Sequence, residues 1–177
     1  TDNREIGTAA VTVTGKGDYT GVVTTPFNIV DNSIAKAEII LSDEAVTFDG
    51  SYHKPAVTVK TGGVTLRAGE DYTFEYDDNR NVGTATVTVT GCGIFKGTRD
   101  ATFAIEPKSI ADAEVVIQPS EASYNGKPQE PEVAVYLDGA ALRQGKTRDY
   151  TVAFDNNIEA GTATFTITGV GNYTGEI

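Results

Sequence analysis

Residues 83–97 read GTATVTVTGCGIFKG, from Gly83 to Gly97. Ala85, Val87 and Val89 alternate with Thr84, Thr86, Thr88 and Thr90. Successive side chains of a strand point to opposite faces, so this stretch carries one apolar face and one hydroxylated face. Threonine is β-branched, so the hydroxylated face favours strand as well. The following Gly91-Cys92-Gly93 is a turn signal that calls for positive φ. A second alternating run ends in Phe103-Ala104-Ile105. Two such runs joined by a glycine turn predict a hairpin.

The same stretch occurs twice more. Residues 7–21 read GTAAVTVTGKGDYTG and residues 161–175 read GTATFTITGVGNYTG, so the three copies start 76 and 78 residues apart. Self-similarity at this period predicts an array of small domains. Residues 1–30 then form the C-terminal half of a preceding repeat, an Asp2-Asn3 turn followed by a closing hairpin. Residues 33–107 form one complete repeat, and residues 108–177 form a repeat lacking its last strand, the counterpart of Ala101–Ile105. Both ends fall inside repeats, which predicts a piece of a longer protein. A domain of about 75 residues is small but can bury a core without staples.

Within the complete repeat, Ala37–Leu41 and Val46–Phe48 read as strands, the second closed by the tight turn Asp49-Gly50. Pro55 opens a third strand with Val57 and Val59 inward, since proline is tolerated at a strand's first position. Gly62-Gly63 turns the chain into Val64–Leu66. Tyr72, Phe74 and Tyr76 then alternate inward against Thr73 and Glu75. The second repeat follows almost position by position: Asn125-Gly126 for Asp49-Gly50, Pro131 for Pro55, Val133 and Val135 for Val57 and Val59, and Tyr150, Val152 and Phe154 for the three aromatics. Its two extra residues fall around Thr147-Arg148, beside Gly145, where a loop accepts insertion. Each repeat has about seven short strands and no helical period. The expected fold is all-β: tandem immunoglobulin-like antiparallel β-sandwich repeats of about 76–78 residues. The linkers 30–33 and 106–109 are short, and Pro107 stiffens the second, which predicts end-to-end domains with a small interface.

Composition bounds the function. The net charge is −11, and an acidic surface repels phosphate backbones, so nucleic-acid binding is not expected. No run approaches the roughly 20 apolar residues of a membrane span, so no membrane insertion is expected. One cysteine allows no intrachain disulfide. Catalysis needs convergent chemical groups, and no Gly-x-Ser-x-Gly, His-Glu-x-x-His or phosphate loop is present. The single histidine, His53, has Gln129 as its counterpart. The single cysteine, Cys92, has Lys16 and Val170, and reads as an exposed free thiol. The chain is expected to be non-enzymatic and to carry no cofactor.

Three positions stand out as candidates. Tyr19, Phe95 and Tyr173 sit between glycines just past the turn. As exposed rings they would stack on sugars, whereas as buried rings they would plug the end of the sandwich. The acidic turns Asp77-Asp78-Asn79 and Asp155-Asn156-Asn157 offer the hard oxygens calcium prefers, but without calcium-loop spacing. The competing role is local: Asn79 and its counterparts Asn3 and Asn157 shape the turn, because asparagine tolerates the left-handed region. No metal site is assigned. No lysine recurs between the repeats, which argues against a Lys–Asn isopeptide bond built into each.

The pattern Asp-Tyr-Thr, an Asn-containing turn, the Gly-Thr-Ala stretch and Phe-x-Ile, here Asp71–Ile105 and Asp149–Gly175, resembles the Ig-like repeats of large Gram-positive bacterial cell-surface proteins. The resemblance covers almost the whole chain. It implies a secreted or cell-wall-attached, extracellular multidomain protein in which these modules are stalk, spacer or adhesin units. Host or bacterial glycans or proteins would be met through other domains. The alternative is a carbohydrate-binding module attached to a secreted glycan-active enzyme. The unpaired hairpin at one end and the missing strand at the other predict head-to-tail self-association of this fragment, a pairing that the missing halves would replace in the longer protein.

Overall fold

The computed structural model describes residues 3–29 and 31–177. Asp2 of the expected Asp2-Asn3 turn and Val30 of the first linker lie outside the described residues. The chain is all-β, with strands β1 Gly7–Thr14, β2 Val22–Ile29, β3 Glu38–Leu41, β4 Ala45–Thr47, β5 Val57–Thr61, β6 Val64–Thr65, β7 Tyr72–Asp77, β8 Gly83–Gly91 and β9 Thr98–Glu106. These are followed by β10 Lys108–Ser109, β11 Glu114–Gln118, β12 Glu132–Leu137, β13 Ala140–Ala141, β14 Tyr150–Asp155, β15 Thr164–Gly169 and β16 Tyr173–Thr174. One 3-10 turn, Ile34–Lys36, precedes β3, with the Ser33 side chain accepting from the Ala35 N–H.

β1 and β2 pair as an antiparallel hairpin, with Ala9 opposite Phe27 and Val13 opposite Val23. The complete repeat holds a three-stranded sheet, β3-β5-β6, and a four-stranded sheet, β4-β9-β8-β7. The alternation read in residues 83–90 holds along β8: Ala85, Val87 and Val89 are all 0% exposed. The second repeat holds β11-β12-β13, the pair β14-β15, and the pair β10-β16. Two short pairs are parallel, β4 with β9 and β10 with β16. The second linker is thereby part strand: Lys108 and Ser109 pair with Tyr173 and Thr174.

Two compact units emerge, and their boundary does not follow the linkers. One comprises Thr1–Glu44, Lys54–Asp77 and Ala85–Phe103; the other comprises Ala45–His53, Asp78–Thr84 and Ala104–Ile177. In the first, Ile34, Val59, Tyr72 and Phe95 are buried with the β8 valines. In the second, Ile110, Val133, Val135, Tyr150 and Ile167 form the core, flanked by Val115, Leu142, Val152, Phe154, Phe165 and Tyr173. Each fully buried side chain of this kind contributes about 1.5–3 kcal/mol relative to exposure.

The second repeat has no counterpart of β4. Its equivalent residues, Glu121–Ser123, form no strand, and Tyr124 is 63% exposed where its counterpart Phe48 is buried. In the first repeat β4 lies along Ala104–Glu106 of β9. In the second, Glu176 and Ile177, the counterparts of Thr98 and Arg99 at the start of β9, lie beside Thr168 and Ile167. Ile167 and Ile177 exchange backbone hydrogen bonds of 2.8 and 2.9 Å.

In the Gly-x-Gly turn the two glycines do different work. The second has positive φ, +71° at Gly17, +61° at Gly93 and +67° at Gly171. The first sits where the chain crosses itself: a Cβ on Gly91 would lie 2.8 Å from the Lys96 nitrogen and from Ile34 Cγ1. Gly91→Ala is therefore expected to cost about 1–3 kcal/mol through overpacking. The check is a lowered urea midpoint with an unchanged m-value; an unchanged midpoint would remove the close-approach argument.

Candidate functional site

The residues that recur most strictly meet backbone groups. Asp149 accepts the Arg143 N–H at 2.8 Å and the Arg143 guanidinium at 3.0 Å through both carboxylate oxygens. It is 8% exposed. Asp71 repeats the backbone half of this arrangement, accepting the Arg67 N–H at 2.8 Å, while the Arg67 guanidinium turns to Glu70. The next residue ties one sheet to the other. The Tyr72 hydroxyl donates to the Val57 carbonyl at 3.0 Å, and the Tyr150 hydroxyl donates to the Val133 carbonyl at 2.7 Å. Burial raises the pKa of both phenols above the usual tyrosine value.

The acidic turns are organised the same way. The left-handed residue at the turn is Asp78, φ +53°, and its counterpart Asn156, φ +54°. This corrects the expectation that Asn79 and Asn157 take that conformation. Those asparagines instead reach across the domain end: the Asn79 amide donates to the His53 carbonyl at 2.7 Å, and the Asn157 amide to the Gln129 carbonyl at 3.0 Å. The backbone completes each clasp, the His53 N–H reaching the Asn79 carbonyl and the Gln129 N–H the Asn157 carbonyl, both at 2.8 Å. Among the described residues, no group of three or more His, Cys, Asp or Glu side chains is placed to hold a metal ion.

The three aromatic positions share register but not environment. Tyr19 is 79% exposed and Phe95 is 4% exposed. Phe95 therefore offers no face to a sugar, since its ring is part of the packed interior. Tyr173 is half-buried, with its ring edge-on to Phe48 at 5.6 Å between centroids. Beside it, the Asn172 carboxamide accepts the Val82 N–H at 2.9 Å and donates to the Asn81 carboxamide at 3.0 Å. Lys108 forms an ion pair with Asp138 and donates its N–H to the Asn172 carbonyl at 3.0 Å. All of these residues belong to the second compact unit. The three rings are not gathered into one stacking platform, because one of them is interior.

Cys92 is half-buried rather than exposed, and its Sγ donates to the Glu70 carbonyl at 3.1 Å. The His53 Nε2 is buried and lies 3.3 Å from the Asp49 carboxylate. Neither lies in an arrangement of nucleophile, base and orienting group, which is what catalysis on such residues requires. A cavity of about 520 Å³ lies in the second repeat, between residues 119–124 and 160–165. No family model matches the chain, and comparison with curated proteins and with solved structures returns no match.

The Asp149–Arg143 contact gives stability a pH dependence of known sign. Hydrogen bonds from the Arg143 guanidinium hold the Asp149 carboxyl below the usual carboxylate range, against the opposing effect of burial. A depressed folded-state value means that the stabilisation is fully present above the unfolded value of about 4 and is lost as pH falls through the folded one. Asp149→Asn is expected to cost about 1–2 kcal/mol at pH 7, and the gap from wild type is expected to shrink below about pH 4. Urea midpoints at pH 7 and pH 3 measure both; a gap that does not change with pH would refute the assignment.

Proposed function

We propose that the chain is a run of non-enzymatic spacer or adhesive modules of an extracellular, cell-wall-associated bacterial surface protein. The observation that carries this reading is where the signature residues go. Asp71 and Asp149 hold a turn, Tyr72 and Tyr150 hold two sheets together, and Asn79 and Asn157 hold a domain end. A sequence pattern that repeats in order to rebuild a scaffold is what a stalk requires. The net charge of −11 supports partners other than nucleic acid. Among the described residues no helix is long and apolar enough to cross a membrane. Recognition of glycans or proteins then falls to other domains.

The competing reading, a carbohydrate-binding module, draws on the exposure of Tyr19 alone among the three aromatic positions. Single-molecule pulling separates the two. A spacer is expected to give a discrete unfolding step matching about 75 residues at roughly 3.5 Å each. On a glycan array it is expected to give no saturable signal. Saturable binding that disappears in Tyr19→Ala, with the unfolding step unchanged, would overturn the spacer reading.

A further inference from the structure

Asn125 is the only asparagine in the sequence that is followed by glycine. It opens the turn 125–129, whose counterpart in the first repeat is the turn 49–53. Asn125 is exposed, and so is Asp49 directly after β4 and Phe48, so the exposure belongs to the turn itself. At the far end of the turn the Gln129 main chain is anchored to Asn157, through its N–H at 2.8 Å and its carbonyl at 3.0 Å. From that anchor the Gln129 carboxamide donates to Asn125 Oδ1 at 2.7 Å. The Lys127 N–H donates to the same oxygen at 2.9 Å. Both bonds fall on the carbonyl oxygen, and among the described residues none falls on Asn125 Nδ2. The Gly126 N–H takes part in neither. Gly126 has φ +71°, and outside its chain neighbours a Cβ placed on it would meet nothing closer than the Tyr124 hydroxyl at 3.9 Å.

Two donors on a carbonyl oxygen are placed for the negative charge that the oxygen gains when a nucleophile adds to its carbon. The nucleophile at hand is the main-chain nitrogen of Gly126, which closes a succinimide ring on Asn125 Cγ. Glycine has no Cβ, so no side chain shields this nitrogen. The nitrogen gives its proton to hydroxide and forms the bond to Cγ, and the carbonyl electron pair moves onto Oδ1. The pair then returns and the Cγ–Nδ2 bond breaks. Nδ2 takes a proton from water and leaves as ammonia. Water next opens the ring at one of two carbons. Opening at Cγ gives aspartate; opening at the Asn125 main-chain carbonyl gives isoaspartate, with the chain running through the side chain. The balance is amide plus water to carboxylate plus ammonium, with nothing oxidised or reduced.

We propose that Asn125 is a self-modification site, deamidated through a succinimide formed with Gly126 while the Gln129 carboxamide stabilises the charge on Oδ1. The first repeat already carries the aspartyl product at this place. Asp49 accepts the Ser51 N–H at 2.8 Å, as Asn125 accepts the Lys127 N–H, and the His53 Nε2 lies 3.3 Å from Asp49 where the Gln129 amide meets Asn125. An aspartate at 125 therefore enters a turn that this fold builds with a carboxylate. Isoaspartate lengthens the main chain by one carbon and gives the turn a geometry the first repeat does not have. Either product adds a negative charge to the second repeat without an enzyme or cofactor. This inference does not depend on the spacer reading.

A time course of the whole folded chain in warm, mildly alkaline buffer, read by peptide mapping and mass spectrometry, tests it. The expected result is loss of the amide at Asn125 ahead of every other asparagine, with aspartyl and isoaspartyl peptides both present. Asn79 and Asn157, followed by Arg80 and Ile158, are internal controls whose amides donate to carbonyls across the domain end. Gln129→Ala leaves the main-chain anchor to Asn157 in place and is expected to slow the loss about threefold to tenfold, the worth of one hydrogen bond. Gln129→His, which installs the residue of the first repeat, is expected to recover most of the rate. Were Gln129 only a lock on the turn, Gln129→Ala would speed the loss instead. An Asn125 amide that lasts as long as those of Asn79 and Asn157, an aspartyl product with no isoaspartyl, or an unchanged or faster loss in Gln129→Ala would each overturn the proposal.

Discussion

Each sandwich depends on one hydroxyl crossing between its sheets. Tyr72 on β7 and Tyr150 on β14 carry apolar rings that are buried to 2% and 3% exposure, and a phenol buried without a partner would be costly. The partner in each repeat is a backbone carbonyl of the facing sheet, Val57 on β5 or Val133 on β12. That bond ties β7 to β5 in the first repeat and β14 to β12 in the second. The neighbouring aspartate fixes the approach of the chain to the tyrosine. Asp71 and Asp149 receive the N–H of Arg67 and Arg143, so the turn before the strand has one geometry. On the other side the Asp71 and Asp149 carbonyls receive the N–H of Cys92 and Val170, within the Gly-x-Gly turn. Asp-Tyr and Gly-x-Gly are thus two halves of one corner, which explains why they recur together.

Strands were legible because period-2 alternation is a local property. The residues of β5, β7 and β8 announce their inward faces without reference to partners, and Val59, Tyr72 and Val87 are buried accordingly. What was not legible required a partner distant in sequence. Val46-Thr47 and its counterpart Ala122-Ser123 hold the same place in the repeat, yet only the first is strand, and β9 lies beside it. Asn79 reads as a turn former, but its amide serves a carbonyl 26 residues earlier. Phe95 and Tyr19 occupy the same place in the motif and differ completely in exposure. One missed role did leave a trace. Leu66-Arg67 and Leu142-Arg143 each precede the Asp-Tyr pair, and that shared Leu-Arg marks the backbone group the aspartate receives.

The residues that do not recur are equally informative. A repeat can change any side chain whose role is not to satisfy the backbone. His53 becomes Gln129, and the main-chain clasp to the asparagine is unchanged, since it uses only N–H and carbonyl groups. Cys92 becomes Val170, and both N–H groups still meet the aspartate carbonyl. Chemistry-bearing side chains therefore sit where substitution costs the fold little, and recurring side chains sit where their polar atoms are already committed. The recurring Asp149, Tyr150 and Asn157 hold fixed positions because their side-chain polar atoms meet main-chain groups of other segments.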